Sequence, residues 1–280
     1  MTRSSDSRPI GVFDSGVGGL TVLSEVRRRL PEEATVYLGD NERTPYGPRP
    51  ADEVRRFTLE CVSWLLEQDV KALVLACNTA TSHALANVRE ASPVPVLGVV
   101  RPGAVTAAAA TRSGHVGVIA TVGTVESGAY PAAINEADRR LVVRQQACPD
   151  LVPLVEAGRL EGPDAERTVD GYLDDLLAAD TEIDTLLLGC THYPLLRPLI
   201  ERRVGSGVAV VDSAFTTALA TEDLLDALGA RAGHGASGSS AAAGGHRIAT
   251  TGDVAAFSSV ADRVFGSRLP EVEAAVVGAH

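Results

Sequence analysis

The sequence predicts an α/β protein with largely parallel sheets, arranged as two matched halves. Three observations carry this expectation. Short apolar runs alternate with longer amphipathic segments almost from end to end. The short runs are apolar throughout, as strands covered on both faces are. Two stretches also recur: Ile10-Gly-Val-Phe-Asp-Ser-Gly is echoed by Val116-Gly-Val-Ile-Ala-Thr-Val, and Ala72-Leu-Val-Leu-Ala-Cys-Asn-Thr by Thr185-Leu-Leu-Leu-Gly-Cys-Thr-His.

In chain order, strands are expected at 10–13, 35–38, 72–76, 94–99, 116–120, 141–145, 185–188 and 208–211. Helical patterns fill the intervals at 19–29, 51–67, 79–90, 102–111, 125–136, 163–178, 195–203 and 216–228. A first domain is expected over 1–98 plus 212–280, and a second over 99–211. The last helical stretch, 254–265, is expected to pack on the first domain. The Gly/Ser/Ala tract 233–245 reads as a flexible surface loop.

Composition narrows the function. With 280 residues, 45% of them apolar, the chain can bury a sizeable core. A net charge of −11 argues against a general nucleic-acid binder, which needs surplus Lys and Arg. It does not forbid a small anionic substrate, since a local field can oppose the net charge. The first nine residues are polar, and no apolar run is long enough to cross a membrane. Cytoplasmic location is expected, with Cys61, Cys77, Cys148 and Cys190 as free thiols. Lys71 is the sole lysine; the other 24 basic residues are arginines.

Cys77 and Cys190 each end a buried-looking strand and precede polar, helix-starting residues, Asn78-Thr79 and Thr191-His192. Helix amides carry partial positive charge that favours a thiolate. An apolar-flanked cysteine is ordinarily core packing, but two at equivalent points of a repeat favour function. Facing halves would set them on opposite walls of one cleft. A metal site is not expected: Cys190-Thr-His192, with Cys77 and His83, matches no zinc spacing. A Cys190–His192–Glu156 hydrolase is possible but leaves Cys77 unexplained. The turn Asp14-Ser15-Gly16-Val-Gly18-Gly19 can bring backbone close to a ligand, and lacks the Gly-x-Gly-x-x-Gly spacing of a dinucleotide site. Asp14 is either a helix cap or a charged neighbour for an ammonium or a thiol. In the loop 39–47, Pro45 and Gly47 fix a turn around Tyr46, and Asp40 and Arg43 can pair with each other. Cys61 and Cys148 read as packing. His83, His115, His234, His246 and His280 read as structural or solvated.

At these residues the chain resembles the bacterial glutamate racemases of the Asp/Glu racemase family. The shared motifs are Asp14-Ser15-Gly16-Val-Gly-Gly-Leu-Thr, Pro45-Tyr46-Gly47, Cys77-Asn78-Thr79-Ala80, Leu151-Val-Pro-Leu-Val-Glu156 and Gly189-Cys190-Thr191-His192-Tyr-Pro-Leu-Leu, in the family's order over about 9–265. The resemblance implies two pseudo-symmetric three-layer α/β domains with the active site between them, no cofactor, and Cys77 and Cys190 as the acid/base pair. It implies Asp14, Glu156 and His192 as auxiliary groups, and glutamate contacts from Asp14, Ser15, Tyr46, Gly47, Asn78, Thr79, Thr191 and His192. A homodimer supplying D-glutamate for peptidoglycan is the matching expectation. Where members often read Gly-Val-Ile-Glu-Pro-Gly, this chain has Arg101 in place of the glutamate.

The chemistry is consistent with these residue types. Inverting a chiral carbon needs one group to remove its hydrogen and another, on the opposite face, to return one. Lys71 precedes a strand at the end opposite Cys77, which makes it a poor Schiff-base lysine for pyridoxal phosphate. The alternatives are a racemase of the same family acting on aspartate or another amino acid, and a non-catalytic binding or regulatory protein.

Overall fold

The computed structural model describes residues 6–233, 245–265 and 269–278. The tract 233–245, apart from its two ends, and His234 and His280 lie outside them. Eight strands fall where expected: β1 (Ile10–Asp14), β2 (Thr35–Gly39), β3 (Ala72–Leu75), β4 (Val96–Gly98), β5 (His115–Ala120), β6 (Val142–Ala147), β7 (Thr185–Gly189) and β8 (Ala209–Asp212). Two more were not anticipated, β9 (His246–Thr250) and β10 (Val272–Ala274). They escape a hydropathy reading because β9 opens with His246 and Arg247, and β10 is three residues long and largely exposed.

The strands form two sheets, ordered β10-β9-β2-β1-β3-β4 and β6-β5-β7-β8, and every pairing is parallel. The order 2-1-3-4 of the first sheet recurs as 6-5-7-8 in the second, so the sequence echo is a structural repeat. Alternate residues of one strand serve different cores. Ile10 and Val12 of β1 join one cluster, while Phe13 joins another on the opposite face. In the second sheet, Val116, Val118 and Leu187 face one side and Leu186 and Leu188 the other. Burial on both faces is why these strands are apolar at successive positions.

The helices supply the covering layers. On the first sheet, α1 (Leu20–Arg29) packs beside α10 (Ala214–Leu228), and α2 (Ala51–Leu66) beside α3 (Asn78–Ala91). On the second, α4 (Val100–Ala110) packs beside α6 (Ala129–Ala137), and α8 (Pro163–Ala179) beside α9 (Arg197–Val204). In α1, Leu20, Val22, Leu23 and Val26 are buried, and Arg27, Arg28 and Arg29 close the last turn, where cations suit the helix dipole. The single helix expected over 125–136 is two, α5 (Val122–Glu126) and α6, because Gly128 takes a left-handed φ of 65° between them. Helix α7 (Leu151–Glu156) is one short turn that ends at Glu156, and α11 (Val254–Phe265) contacts β10 of the first sheet. Among the described residues, no helix is long and apolar enough to cross a membrane.

Lys71 is buried at the start of β3. Its Nζ donates to Oε2 of Glu33 at 2.5 Å and to the carbonyls of Asp6 (2.7 Å) and Ala230 (2.8 Å). The other Glu33 oxygen accepts the amide of Ala232 at 2.8 Å. One ion pair thus ties three distant segments together, and losing one partner strands a buried charge. Lys71→Met should lower unfolding stability by about 3 kcal/mol or more, read by urea denaturation; a wild-type midpoint would show the pair to be dispensable.

Candidate active site

The C-terminal ends of the central strands of both sheets meet at one seam, the position where open parallel sheets carry their sites. Ser15 follows β1, Cys77 lies just beyond β3, Thr121 follows β5 and Cys190 follows β7. All four line one enclosed cavity. The wall also takes in Tyr46, Gly47, Asn78, Thr79, Thr191 and His192, all read from the sequence as site residues, and is completed by Pro45 and Val152. Thr121 and Val152 had not been singled out. The repeat could have found Thr121, since the echoed stretches align it with Ser15; Val152 lies within the motif Leu151-Val-Pro-Leu-Val-Glu156, where only Glu156 reads as a chemical group. Among the described residues, no Lys or Arg lines the cavity.

The cavity is narrow, about 270 Å³ including its mouth. The two sides approach closely beside it. A Cβ built on Gly18 would lie 2.5 Å from Nδ1 of His192, and one on Gly47 would lie 2.7 Å from Cβ of Thr121. Hydrogen bonds cross at the same places. Thr191 Oγ1 donates to Asp14 Oδ1 at 3.2 Å, the Gly123 amide donates to the Gly47 carbonyl at 2.8 Å, and the Thr79 and Thr121 hydroxyls are 2.9 Å apart.

The two cysteines have different neighbours. Cys77 is the N-cap of α3; its Sγ accepts the Ala80 amide at 3.4 Å and lies 3.4 Å from Ser15 Oγ. Burial first, and the nearby Asp14 second, push its thiol up to about 12. Asp14 is fully buried, and burial raises its carboxyl against the pull of His192 and of the turn amides. One of those amides, Gly16 N, donates to Oδ2 at 3.0 Å. Asp14 is thus both turn cap and charged neighbour of a thiol.

Cys190 Sγ instead lies 3.8 Å from Nδ1 of His192, whose Nε2 is 2.7 Å from Oε1 of Glu156. Burial opposes charge on His192, but the Cys190 sulfur and the Glu156 carboxylate outweigh it and hold the imidazole well above its ordinary value. For Glu156, burial is likewise overcome, here by His192 and the Val17 amide, and its carboxyl sits below the usual value. Glu156 and Asp14 stand behind the wall.

The Tyr46 hydroxyl does not serve the cavity, because it donates to buried Asp40, while the ring packs against Phe13 and Phe57. Asp40 also accepts from Arg43 at 2.7 Å, the pairing anticipated within this loop. Cys61 and Cys148 are buried packing residues, and His83 touches the Gly123 carbonyl at 2.9 Å. His115 does have a constellation, contrary to expectation. At the far end of β5 it lies 2.9 Å from Asp180 and 3.1 Å from Glu182. Among the described residues this is the one cluster of metal-ligand type, and its imidazole nitrogens are both occupied by ion pairs. Arg101 is exposed and pairs with Glu136 at 3.3 Å.

Residues 18–222 match the family described as Asp/Glu/Hydantoin racemase. A curated glutamate racemase of Shouchella clausii is 47% identical over 255 residues, spanning 91% of this chain and 89% of that one. The crystal structure of glutamate racemase isoform RacE1 from Bacillus anthracis superposes with a TM-score of 0.87 at 42% identity, covering 97% of this chain and 98% of the other. That of the Francisella tularensis glutamate racemase, in complex with D-glutamate, gives 0.87 at 30% identity over 98% and 100%. The chain belongs to the Asp/Glu/hydantoin racemase family and is an isomerase.

Proposed function

We propose that the protein is a cofactor-independent glutamate racemase that uses Cys77 and Cys190 as its two proton-transfer groups. One observation carries this reading: two thiols at equivalent strand ends of a structural repeat share one enclosed cavity. The curated glutamate racemases at 45–50% identity support glutamate as the substrate. The strands of each sheet support a division of the described residues after Gly98 and again near Asp212. On this reading the product, D-glutamate, serves peptidoglycan synthesis in a bacterial cytoplasm.

The chemistry follows from the two surroundings. Burial and Asp14 keep the proton on Cys77 near neutral pH, so Cys77 is the ready acid. Cys190 then acts as thiolate base beside His192, which Glu156 holds in its protonated form. Removing the α-hydrogen with Cys190 and delivering one from Cys77 inverts the carbon and leaves the reversed protonation state, ready for the opposite enantiomer. Negative charge that develops at the α-carbon and carboxylate meets the amides opening α3 and the hydroxyls of Ser15 and Thr79. A cavity this closed requires the two sides to part for substrate entry, and their return expels water.

Cys77→Ala and Cys190→Ala should each lower kcat/KM by about 10³-fold or more, measured by chiral chromatography. Enantiomers have equal free energy in water, so the loss must be the same in both directions; full activity in either variant sinks the two-base scheme. In deuterated water without pyridoxal phosphate, early turnover of L-glutamate should place deuterium in the D-product before it appears in recovered substrate. Product that retains the original hydrogen would point to a single shuttling base. Aspartate run in parallel tests the substrate assignment.

The Glu156–His192 pair fixes a pH dependence. Glu156 raises the imidazole, so His192 stays protonated above its ordinary range and loses its proton only as pH rises through the raised value. Glu156→Gln should move the alkaline limb of kcat/KM to lower pH; an unmoved limb would assign it to another group.

A further inference from the structure

We infer that Tyr130 is a positioning residue that sets the spacing of the two cysteine loops, and the inference rests on the racemase reading above. Tyr130 lies on α6 and is fully buried in the core behind the second sheet, outside the cavity wall. Its ring edge fills the space beside Gly189, the residue before Cys190: a Cβ built on Gly189 would stand 2.8 Å from Tyr130 Cε2. Its hydroxyl crosses the seam and accepts an N–H from Nδ2 of Asn78, the residue after Cys77, at 2.6 Å. On a third side a Cβ at Gly103 of α4 would lie 3.4 Å from the same hydroxyl. One stiff side chain is therefore wedged between the neighbours of both sulfurs.

The plainer reading is a core tyrosine whose hydroxyl found a convenient amide. Two features go beyond it. The partner is not backbone of Tyr130's own sheet but a cavity-lining side chain of the opposite sheet. That side chain's other polar atom, Asn78 Oδ1, is buried and has no hydrogen-bond partner in the protein. An unmatched buried acceptor costs about 1–3 kcal/mol. With Nδ2 held by Tyr130, Oδ1 is left for a donor inside the cavity, and an ammonium group of the substrate is such a donor. Tyr130 thus fixes the orientation of Asn78 and the gap between Gly189 and Asn78 together. Proton transfer from two sides is sensitive to that gap, since a misplacement of about 1 Å can cost about 10²-fold.

The test is Tyr130→Phe, which keeps the ring against Gly189 and removes the hydroxyl alone. Its kcat should fall about tenfold or more in both directions, with KM changing less and the fold retained, the thermal midpoint falling by only a few degrees as the Asn78 amide loses its acceptor. The combination with Asn78→Ala separates positioning from general stability. If the hydroxyl acts through Asn78, adding Tyr130→Phe to Asn78→Ala should cost less than about twofold more, residual turnover being followed by α-hydrogen exchange in deuterated water. Wild-type kcat in Tyr130→Phe, unfolding of that variant, or a full additional loss on the Asn78→Ala background overturns the inference. If the wild-type protein does not racemise glutamate, the underlying reading falls and takes this inference with it. A racemising wild type with an indifferent Tyr130→Phe overturns the inference alone.

Discussion

The site exists because two layers of backbone approach each other more closely than side chains would permit. Gly18, in the turn between β1 and α1, lies where any Cβ would strike His192 and Thr191, and Gly47 does the same against Thr121. That proximity lets Thr191 reach Asp14 and lets Glu156 sit against the amide of Val17 while bonded to His192. The cross-seam bonds therefore lie in a region with little room for solvent. In such a region each charge interacts strongly with its neighbours, and each unmatched polar atom is expensive.

Within this frame, symmetry of position coexists with asymmetry of surroundings. The sequence repeat aligns Cys77 with Cys190, Ser15 with Thr121, Asn78 with Thr191 and Thr79 with His192, yet Asp14 corresponds to Ala120. One sulfur faces a buried carboxyl and a hydroxyl, while the other faces an imidazole backed by a carboxylate. A proton shared by two identical sites would have no preferred place to rest. Unequal neighbours break that degeneracy, and on the proposed mechanism they set the acid apart from the base.

Much of this was legible from residue order. Strands buried on both faces advertise themselves by unbroken apolar runs, which is how β1, β3, β5 and β7 were placed, and the echoes around Cys77 and Cys190 disclosed the repeat. The C-terminal strands were not legible, because an edge strand such as β10 needs no apolar side chains to join the ladder beside it. The break at Gly128 was missed because helical periodicity runs on through 125–136 while one left-handed residue interrupts the backbone. In the site, residue types near the strand ends were readable, but their orientations were not. Nothing in the order of residues shows that the Tyr46 hydroxyl turns to Asp40, or that Tyr130, about fifty positions from Asn78, meets it across the seam.

The burial of Lys71 has a consequence for how the molecule meets its surroundings. Every other fixed cation is a guanidinium, and the one amine side chain is enclosed with Glu33 and two carbonyls. Reagents or enzymes that acylate lysines find no accessible target on this surface. Any control exerted through lysine acylation would first have to pull apart the clamp that holds the first sheet's connecting segments in place.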